Sequence, residues 1–301
     1  MTSVLVIAGG ASPEREVSLR SGAAILDALK TSGYDVALLD PAEQSIETEL
    51  TAKHYDVAFP IIHGLGGEDG SLQQHLEELG IAYVGSDAAA CRLTFDKSEY
   101  KRALEHAGLP VPKGALVHSW DVPNHALFKS AFVLKPYDGG SSVDTFIIRD
   151  VTSAPWDAMR NALDIYGEML LEELVEGVEI TVGVLGSDGL PVIEIIPPSD
   201  GEFDYENKYN GSTQELCPPQ HVSEATQAAA QALAIRAHEL TGCRDLSRSD
   251  MIVRSDDSLV ILETNTLPGM TDQSLFPKAA NAAGLSMAAL CGQLVQLALK
   301  H

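Results

Sequence analysis

Two carboxylates and one amide near the end of the sequence have the residue types and the spacing of a divalent-metal site. Asp250 lies in the strand-like segment RSDMIV (248–253), and Glu263 and Asn265 lie in the segment LVILETN (259–265). Their oxygens form a hard ligand set without thiolate or imidazole, and such sets favour Mg²⁺ or Mn²⁺, which also bind phosphate oxygens. The sequence therefore predicts a metal ion that carries a phosphorylated ligand.

These side chains meet only if the two segments pair in one particular register. A two-residue turn at 256–257 predicts a hairpin in which Asp250 lies opposite Glu263 and Arg248 lies opposite Asn265. All four side chains then share one face, because side chains alternate along a strand. Like charges directly opposite destabilise a sheet, so this register requires a cation between them. An exposed hairpin with solvated charges, or a slip by one residue, is the alternative that the pattern leaves open.

A glycine-serine stretch and nearby lysines have the chemistry to hold phosphates. In VLKPYDGGSSV (133–143), Lys135 ends a strand and precedes two glycines and two serines. Glycines let backbone N–H groups turn towards an anion, and lysine supplies a point charge. The same stretch is also ordinary hairpin-turn chemistry. Lys97, Glu172 and Glu179 could each be solvated charges on their own, and they gain interest from their presence together with the hairpin.

The composition restricts the classes of ligand and the compartment. Forty-three acidic against 20 basic residues give a formal charge of −23, which argues against nucleic-acid binding, because such binding needs clustered Lys and Arg. The four cysteines are widely spaced without a CxxC pair, which favours reduced thiols in the cytoplasm. A signal peptide and an 18-residue apolar stretch are both lacking, so no membrane association is expected.

The elements that must position these residues follow from the hydrophobic pattern. In the first third, apolar strand segments alternate with helical patterns, which predicts a parallel sheet with helices on its faces. GGASPERE (9–16) and HGLGGEDG (63–70) both follow strands, where ligands bind in such sheets. Later strands are shorter and pair as hairpins. We therefore expect an α/β domain at 1–90, followed by α+β domains at 91–176 and 177–301.

Six stretches in chain order together resemble the D-alanine:D-alanine ligases of the ATP-grasp superfamily. They are GGASPEREVSLRSG, HGLGGEDGSLQQHLEELGIAYVGS, DKSEYK, KPYDGGSSV, FDYENKY and ETNTLPGMTDQSL. The resemblance covers nearly the whole chain. It implies an ATP-grasp fold: an N-terminal Rossmann-like substrate domain, then central and C-terminal subdomains that clamp ATP between them. It also implies two Mg²⁺ (or Mn²⁺) ions, held by Asp250, Glu263 and Asn265 in agreement with the hairpin pairing.

The resemblance also implies a role for each remaining candidate residue. The ATP-binding candidates are Lys97, Lys135 and Ser142 at the phosphates, Glu172 and Val175 at the adenine, and Glu179 at the ribose. The substrate-binding and catalytic candidates are Glu14 and His63 at the first D-alanine, Arg248 and the Gly269 N–H at the oxyanion, Ser274 and Leu275 at the second carboxylate, and Ser141 and Tyr209 closing the site with Glu14. Lys208 beside Tyr209 implies an amine rather than a hydroxy-acid acceptor.

The implied reaction is ATP-dependent ligation of two D-alanines to D-alanyl-D-alanine through an acyl phosphate, with release of ADP and phosphate. This reaction serves peptidoglycan synthesis, and the family implies a cytoplasmic homodimer without nucleic-acid or membrane partners. Two alternatives stay open at this point. One is a nucleotide-binding homologue with weakened activity, and the other is a ligase with another acceptor, such as D-serine.

Three departures from the family pattern motivate the first alternative. Asp144 and Asp245 stand where glycine is common, and Glu173 stands where some members carry a lysine beside the adenine. If position 144 requires a positive φ or a close approach to phosphate, a carboxylate there would weaken ATP binding. None of the three departures removes a residue that is assigned to the chemistry.

Overall fold

The computed structural model describes the chain over four ranges, which are residues 1–119, 125–139, 144–197 and 213–301. Four of the predicted site residues lie outside the described residues: Ser141, Ser142, Lys208 and Tyr209. Their roles therefore stay predictions. Within the four ranges, no helix is long and apolar enough to span a membrane.

The first unit is a parallel sheet with helices packed against it. Its elements are β1 (Ser3–Ile7), α1 (Arg15–Thr31), β2 (Asp35–Leu39), α2 (Ile46–Ala52), β3 (Val57–Pro60) and α3 (Ser71–Glu78). The three strands are parallel in the order β2-β1-β3, and every residue of the central β1 is buried, as expected for a strand covered on both faces. Glu14 and His63 follow β1 and β3, at the carboxyl ends of the strands, as the sequence predicted.

The central unit is built on a four-stranded antiparallel sheet. Its elements are α4 (Ala88–Phe95), α5 (Lys97–His106), β4 (Gly114–Val117), β5 (Phe132–Lys135), β6 (Phe146–Ile148), α6 (Trp156–Tyr166) and β7 (Met169–Glu173). The strand order is β4-β7-β5-β6. The sequence predicted one helical stretch where the structure has α4 and α5. Asp96 separates them, because its extended backbone lets its carboxylate accept the N–H groups of Ser98 and Glu99 at 2.9 and 3.0 Å, which starts a new helix.

The third unit is a six-stranded sheet with antiparallel pairing. Its elements are β8 (Val178–Leu185), β9 (Asp188–Gly189), β10 (Ile193–Ile196), β11 (Gln214–Leu216), α7 (Glu224–Leu240), β12 (Leu246–Val253), β13 (Leu259–Asn265), α8 (Leu275–Ala282) and α9 (Met287–Ala298). The order is β11-β10-β8-β12-β13, with β9 paired to β8. Helix α9 packs against α1, so Val4 and Leu294 belong to one hydrophobic core. The first and last elements of the chain therefore pack in one core.

The β12–β13 hairpin, which we call the acidic ribbon, has the pairing that the sequence predicted at the site. Arg248 lies opposite Asn265, and Asp250 lies opposite Glu263. Strand β12 also pairs with β8 along its whole length, so Asp250 lies on an interior strand with neighbours on both sides. An exposed hairpin is therefore excluded for this segment.

The predicted turn of the acidic ribbon is wrong. The N–H of Arg254 donates to the carbonyl of Ser258 at 2.8 Å, and Asp257 has a φ of 64°, so residues 255–257 form a three-residue turn with a left-handed last residue. This turn shifts the pairing by one residue. A β-bulge at Leu262 shifts it back before Glu263. The correct register at the site therefore results from two offsets that cancel.

Candidate active site

A single large cavity brings together eight of the predicted site residues. It has a volume of about 1350 Å³ and lies where the two antiparallel sheets meet the glycine-rich loops of the first unit. The predicted residues that line it are Glu14, Lys97, Lys135, Glu172, Val175, Glu179, Asp250 and Glu263. A cavity of this size accommodates a ligand larger than most single metabolites. Nucleotide, metal and substrate candidates therefore share one space.

Part of the cavity is an apolar slot between the two antiparallel sheets. Val133 and Ile147 line it from the central sheet, and Ile252 and Leu262 line it from the acidic ribbon. Glu172 lies directly opposite Val133 in the β5–β7 pairing, so its carboxylate borders the apolar surface. A slot with aliphatic walls and one polar edge suits a flat heteroaromatic ring that carries a hydrogen-bond donor.

The end of the slot carries a cluster of lysines around one carboxylate. Glu172 is 2 % exposed, and Lys135 Nζ lies 2.9 Å from its Oε2 atom. Lys101 Nζ contacts the other carboxylate oxygen, Oε1. Lys97 lies nearby, with its Nζ against the carbonyl oxygen of Gly139. We call Lys97, Lys101, Lys135 and Glu172 the lysine cluster, and its three ammonium groups against one carboxylate make this end of the cavity suited to an anion.

Helix α5 places two of the three lysines. Lys97 is its first residue and Lys101 follows one turn later, so both side chains leave the same helix face. Sequence reasoning missed Lys101, although the four-residue spacing in DKSEYK is visible in the sequence. Burial, followed by the ammonium of Lys135, lowers the pKa of Lys101 well below that of a free lysine. The carboxylate of Glu263 opposes this shift and favours the charged form of Lys101.

In the acidic ribbon, a guanidinium provides the cation that the opposed carboxylates require. Arg248 donates from Nε to Asp250 Oδ1 at 3.0 Å and from a terminal nitrogen to Asp250 Oδ2 at 2.8 Å. The Thr181 hydroxyl donates to Asp250 Oδ1 at 2.6 Å. Burial disfavours the charged guanidinium, but the carboxylates of Asp250, Glu263 and Glu68 outweigh this effect and raise the pKa of Arg248. Arg248 is thus held in one orientation as a permanent cation.

The acidic ribbon also fits a divalent ion. Asp250 and Glu263 lie opposite each other and both line the cavity. The Asn265 amide oxygen accepts the N–H of Leu267 at 2.8 Å, and its second lone pair leaves room for a cation. Within the described residues, no group of three or more His, Cys, Asp or Glu side chains could hold a metal by itself. A set of few protein oxygens is nevertheless typical of Mg²⁺, which completes its shell with phosphate and water.

A buried hydroxyl network holds the acidic ribbon from its other face. Thr264 lies between Glu263 and Asn265, and its hydroxyl bonds to Tyr100 Oη at 2.5 Å and to Ser249 Oγ at 2.7 Å. Tyr100 belongs to α5, beside Lys101. One helix therefore positions the lysine cluster and braces the acidic ribbon. Sequence reasoning did not identify this network, because it depends on contacts between residues far apart in the chain.

At the opposite side of the cavity, Glu14 lies against the backbone of the second glycine-rich loop. A Cβ atom on Gly64 would come within 2.6 Å of Glu14 Oε2, so only glycine lets this carboxylate approach so closely. His63 is 6 % exposed, and among the described residues its Nε2 atom has no hydrogen-bond partner. Its Nδ1 atom lies 4.0 Å from Glu68. A buried, unpartnered imidazole nitrogen is costly unless a ligand completes it.

The first glycine-rich loop is fixed by two side chains that the sequence did not single out. The Ser18 hydroxyl accepts the N–H of Gly9 at 2.8 Å and donates to the carbonyl of Ile61 at 2.6 Å, which ties the ends of β1 and β3 together. Asp40 accepts the N–H of Gly10 at 2.9 Å. These bonds fix the backbone that leads to Glu14, the N-cap residue of α1.

The candidates for the second carboxylate form a separate small group next to the first unit. Ser274 is the N-cap of α8 and Leu275 is its first residue, so the helix N-terminus is available to an anion. A Cβ on Gly269 would lie 2.8 Å from Ser274 Oγ, which places Gly269 and Ser274 side by side. Six predicted site residues do not line the main cavity: Gly269, Ser274, Leu275, His63, Arg248 and Asn265. Arg248 nevertheless hydrogen-bonds to Asp250, which does line it.

Comparisons with known proteins identify the family of the chain. The family model described as the D-ala D-ala ligase C-terminus matches residues 104–296, and the model of the D-ala D-ala ligase N-terminus matches residues 40–86. A D-alanine–D-alanine ligase from Syntrophobacter fumaroxidans is 42% identical over 99% of this chain and 98% of its own length. The chain belongs to the D-alanine–D-alanine ligase family.

Solved structures of this ligase family have the same fold. A D-alanine–D-alanine ligase from Bacillus anthracis superposes with a TM-score of 0.85 at 28% identity, over 100% of this chain and 98% of that chain. The same ligase in complex with ATP gives a TM-score of 0.83 at 27% identity with the same coverage. The predicted ATP-grasp fold is confirmed. The alternative of a weakened nucleotide-binding homologue is not favoured by these similarities.

Asp144 and Asp245, two of the three departures that the resemblance indicated, both have left-handed backbone in this chain. Asp144 has a φ of 51° and Asp245 a φ of 57°, which aspartate tolerates better than most residues. Tyr166 donates its hydroxyl to Asp144 Oδ2 at 2.6 Å. This hydrogen bond, followed by burial, raises the pKa of Tyr166 to about 12. Each aspartate therefore keeps the backbone conformation of a glycine.

Asp245 uses its carboxylate to connect distant parts of the ligase chain. It accepts the N–H of Gly85 at 2.8 Å, and its other oxygen lies 2.8 Å from Nε2 of His301. Glu173, the third departure, pairs instead with Arg254 at 3.1 Å. The three departures thus have local partners in this chain.

Proposed function

We propose that this protein joins two D-alanine molecules to D-alanyl-D-alanine at the expense of ATP, with release of ADP and phosphate. Membership of the ligase family supports the reaction. The observation that carries it is one cavity with opposite charge preferences: the lysine cluster suits phosphates, and the acidic ribbon suits a cation. A metal-bound nucleoside triphosphate needs a phosphate site and a cation site within one cavity.

The nucleotide lies with its base in the apolar slot. Glu172, with the backbone at Val175, binds the adenine, and Glu179 binds the ribose. Lys97, Lys135 and Ser142 bind the phosphates. The positions of Glu172 and Lys135 at the junction between the slot and the lysine cluster support this orientation.

Asp250, Glu263 and Asn265 would hold the two Mg²⁺ (or Mn²⁺) ions. When bound, these ions neutralise phosphate charge and orient the γ-phosphate for transfer. Arg248 remains a cation on the same face of the acidic ribbon, because three carboxylates favour its charged form. The pair of Arg248 and Asp250 therefore positions a donor beside the ion site.

The first D-alanine binds through its ammonium group at Glu14, with His63 nearby. Its carboxylate oxygen attacks the γ-phosphorus, which gives an acyl phosphate and ADP. The amine of the second D-alanine, oriented by its carboxylate at Ser274 and the Leu275 N–H, then attacks the acyl carbon and loses a proton. Arg248 and the Gly269 N–H stabilise the oxyanion that forms. Phosphate leaves as the peptide bond is completed.

Ser141 and Tyr209 close the site with Glu14, and Lys208 beside Tyr209 favours an amine acceptor. Closure excludes water, which would otherwise hydrolyse the acyl phosphate. The domain division at 1–90, 91–176 and 177–301, a homodimeric state and a cytoplasmic role in peptidoglycan synthesis belong to the same proposal, and family membership supports them.

A coupled assay of ADP and phosphate release tests the proposed function. With Mg-ATP and D-alanine, we expect stoichiometric release of ADP and phosphate and formation of the dipeptide, identified by its mass. Glu263→Gln is expected to abolish release, and Asp256→Asn, in the exposed turn of the same hairpin, serves as the matched control. Faster product formation with D-serine or D-lactate as second substrate would contradict the assigned acceptor. Absence of any D-alanine-dependent release would contradict the reaction itself.

A further inference from the structure

Lys101 is a buried lysine for which the proposed reaction has no role. It is 6 % exposed and its ammonium contacts Glu172 Oε1. Among the described residues, Lys135 and Glu172 line the cavity and Lys101 does not. Lys101 therefore acts on a cavity ligand through its neighbours, and Glu172 is the one that its ammonium contacts.

Lys101 and Lys135 both contact the carboxylate of Glu172, and an anion that binds in the cavity would compete for Lys135. Lys135 Nζ lies 2.9 Å from Glu172 Oε2, so a phosphate that attracts Lys135 competes with Glu172 for it. If Lys135 were the sole partner, its transfer to phosphate would leave a buried carboxylate without a counterion. A buried charge without a counterion is strongly unfavourable, which would oppose the contact between Lys135 and the phosphate. Lys101 keeps Glu172 paired while Lys135 moves.

We infer that Lys101 is a positioning residue that makes Lys135 available to the phosphates, because it remains the counterion of Glu172 when nucleotide binds. The inference rests on the proposed function, since it concerns the phosphate site of that reaction. It predicts that Lys101 affects the phosphate-dependent part of nucleotide affinity. The nucleoside part of the affinity, which depends on the apolar slot, is unaffected.

Calorimetric titrations of the full chain with ADP and with adenosine, in the presence of Mg²⁺ and without D-alanine, test this role. Lys101→Met weakens ADP binding by about tenfold, which corresponds to roughly 1.4 kcal/mol, and changes adenosine binding by less than about twofold. Lys101→Arg keeps the charge and most of the ADP affinity. Arg102→Met removes the next cation on α5, which is exposed and pairs with Glu99, and leaves both affinities unchanged.

A double variant separates this role from a purely structural one. In Lys101→Met/Glu172→Gln no carboxylate is left unpaired, so the ratio of ADP affinity to adenosine affinity is higher than in Lys101→Met alone, whatever the loss of the adenine contact of Glu172 does to both ligands. A structural defect would instead leave this ratio as low as in Lys101→Met. Thermal melting confirms that each variant is folded, and Lys101→Gln replaces Lys101→Met if that variant does not fold.

Three results would overturn the inference. They are unchanged ADP affinity in folded Lys101→Met, equal loss of ADP and adenosine affinity in that variant, and a ratio of ADP affinity to adenosine affinity that is no higher in the double variant than in Lys101→Met. Each of these leaves the proposed function intact. A wild-type chain that binds no ADP would overturn the proposed function and this inference with it.

Discussion

The acidic ribbon and the lysine cluster both contain buried charged groups, but the excess charge is negative in the first and positive in the second. In the acidic ribbon, the charged form of one guanidinium is favoured by the carboxylates of Asp250, Glu263 and Glu68. In the lysine cluster, one carboxylate lies among three ammonium groups. Each region therefore has an excess of one charge that a ligand of opposite sign can neutralise. In a chain with a formal charge of −23, this local balance, and not the overall charge, decides what binds.

The two regions differ in what holds them in place. The acidic ribbon is braced by uncharged hydroxyls, through Tyr100, Ser249 and Thr264. The lysine cluster is held by the ion pairs of Glu172 itself. Removal of a charge should therefore damage activity most at the acidic ribbon and stability most directly at the lysine cluster.

The largest effect is expected for Asp250→Asn. The substitution removes a metal candidate and leaves buried Arg248 without its bidentate partner, so kcat/KM falls by about a thousandfold or more. Steady-state kinetics measure this loss. Asp256→Asn, in the exposed turn of the same hairpin, should keep wild-type activity. If kcat/KM of Asp250→Asn falls by less than about tenfold, the acidic ribbon has no direct role in the reaction.

Glu172→Gln tests the lysine cluster. Two buried ammonium groups then lack their shared carboxylate, so the free energy of unfolding decreases by about 3 kcal/mol. Urea denaturation gives the value. Glu173→Gln is the matched control, because the next carboxylate pairs with the partly exposed Arg254 and its loss costs less than about 1 kcal/mol. Equal destabilisation by both variants would contradict the assigned role of Glu172.

Thr264→Val tests the uncharged brace of the acidic ribbon. The isosteric change leaves the hydroxyls of Tyr100 and Ser249 without this partner, which destabilises the protein by about 1–3 kcal/mol. Thr264→Ser keeps the hydroxyl and should retain more of the stability. If the two variants unfold at the same urea concentration, the network contributes little and the contrast between the two regions fails.

The smallest effect is expected for Asp144→Gly. Glycine adopts the positive φ of this exposed position readily, and loss of the bond to Tyr166 offsets the gain, so stability changes by less than about 0.5 kcal/mol. Asp245→Gly is the comparison, because this buried carboxylate bonds to Gly85 and His301 and its loss costs about 1–2 kcal/mol. Thermal melting of both variants should rank them in this order.

The fold and the central pairing of the site could be predicted from local patterns. The pairing of Asp250 with Glu263 was predicted from a two-residue turn, and it is correct because the longer turn and the bulge offset each other. The glycine-rich segments at 9–16 and 63–70 lie at strand ends as predicted. The turn of the acidic ribbon could not be predicted, because a β-bulge has no distinctive residue type at Leu262.

The residues that sequence reasoning missed all act through long-range contacts. Lys101 gains its importance from Glu172, and Tyr100 from Thr264, which is 164 residues away in the chain. Neither partner is visible from helix periodicity, since α5 by itself is an ordinary polar helix. The assignments of the individual site residues remain proposals that the kinetic and binding experiments address.

The bulge at Leu262 has a consequence for how this hairpin tolerates change. A shorter, two-residue turn with no bulge would leave Asp250 facing Glu263. Loop length and the spare residue can therefore vary together without moving the acidic pair. Deleting one turn residue together with Leu262 would retain the acidic pair and remove one of the two aliphatic side chains that the acidic ribbon contributes to the slot. Nucleobase contact and ion coordination could thus be altered separately by redesign of a single hairpin.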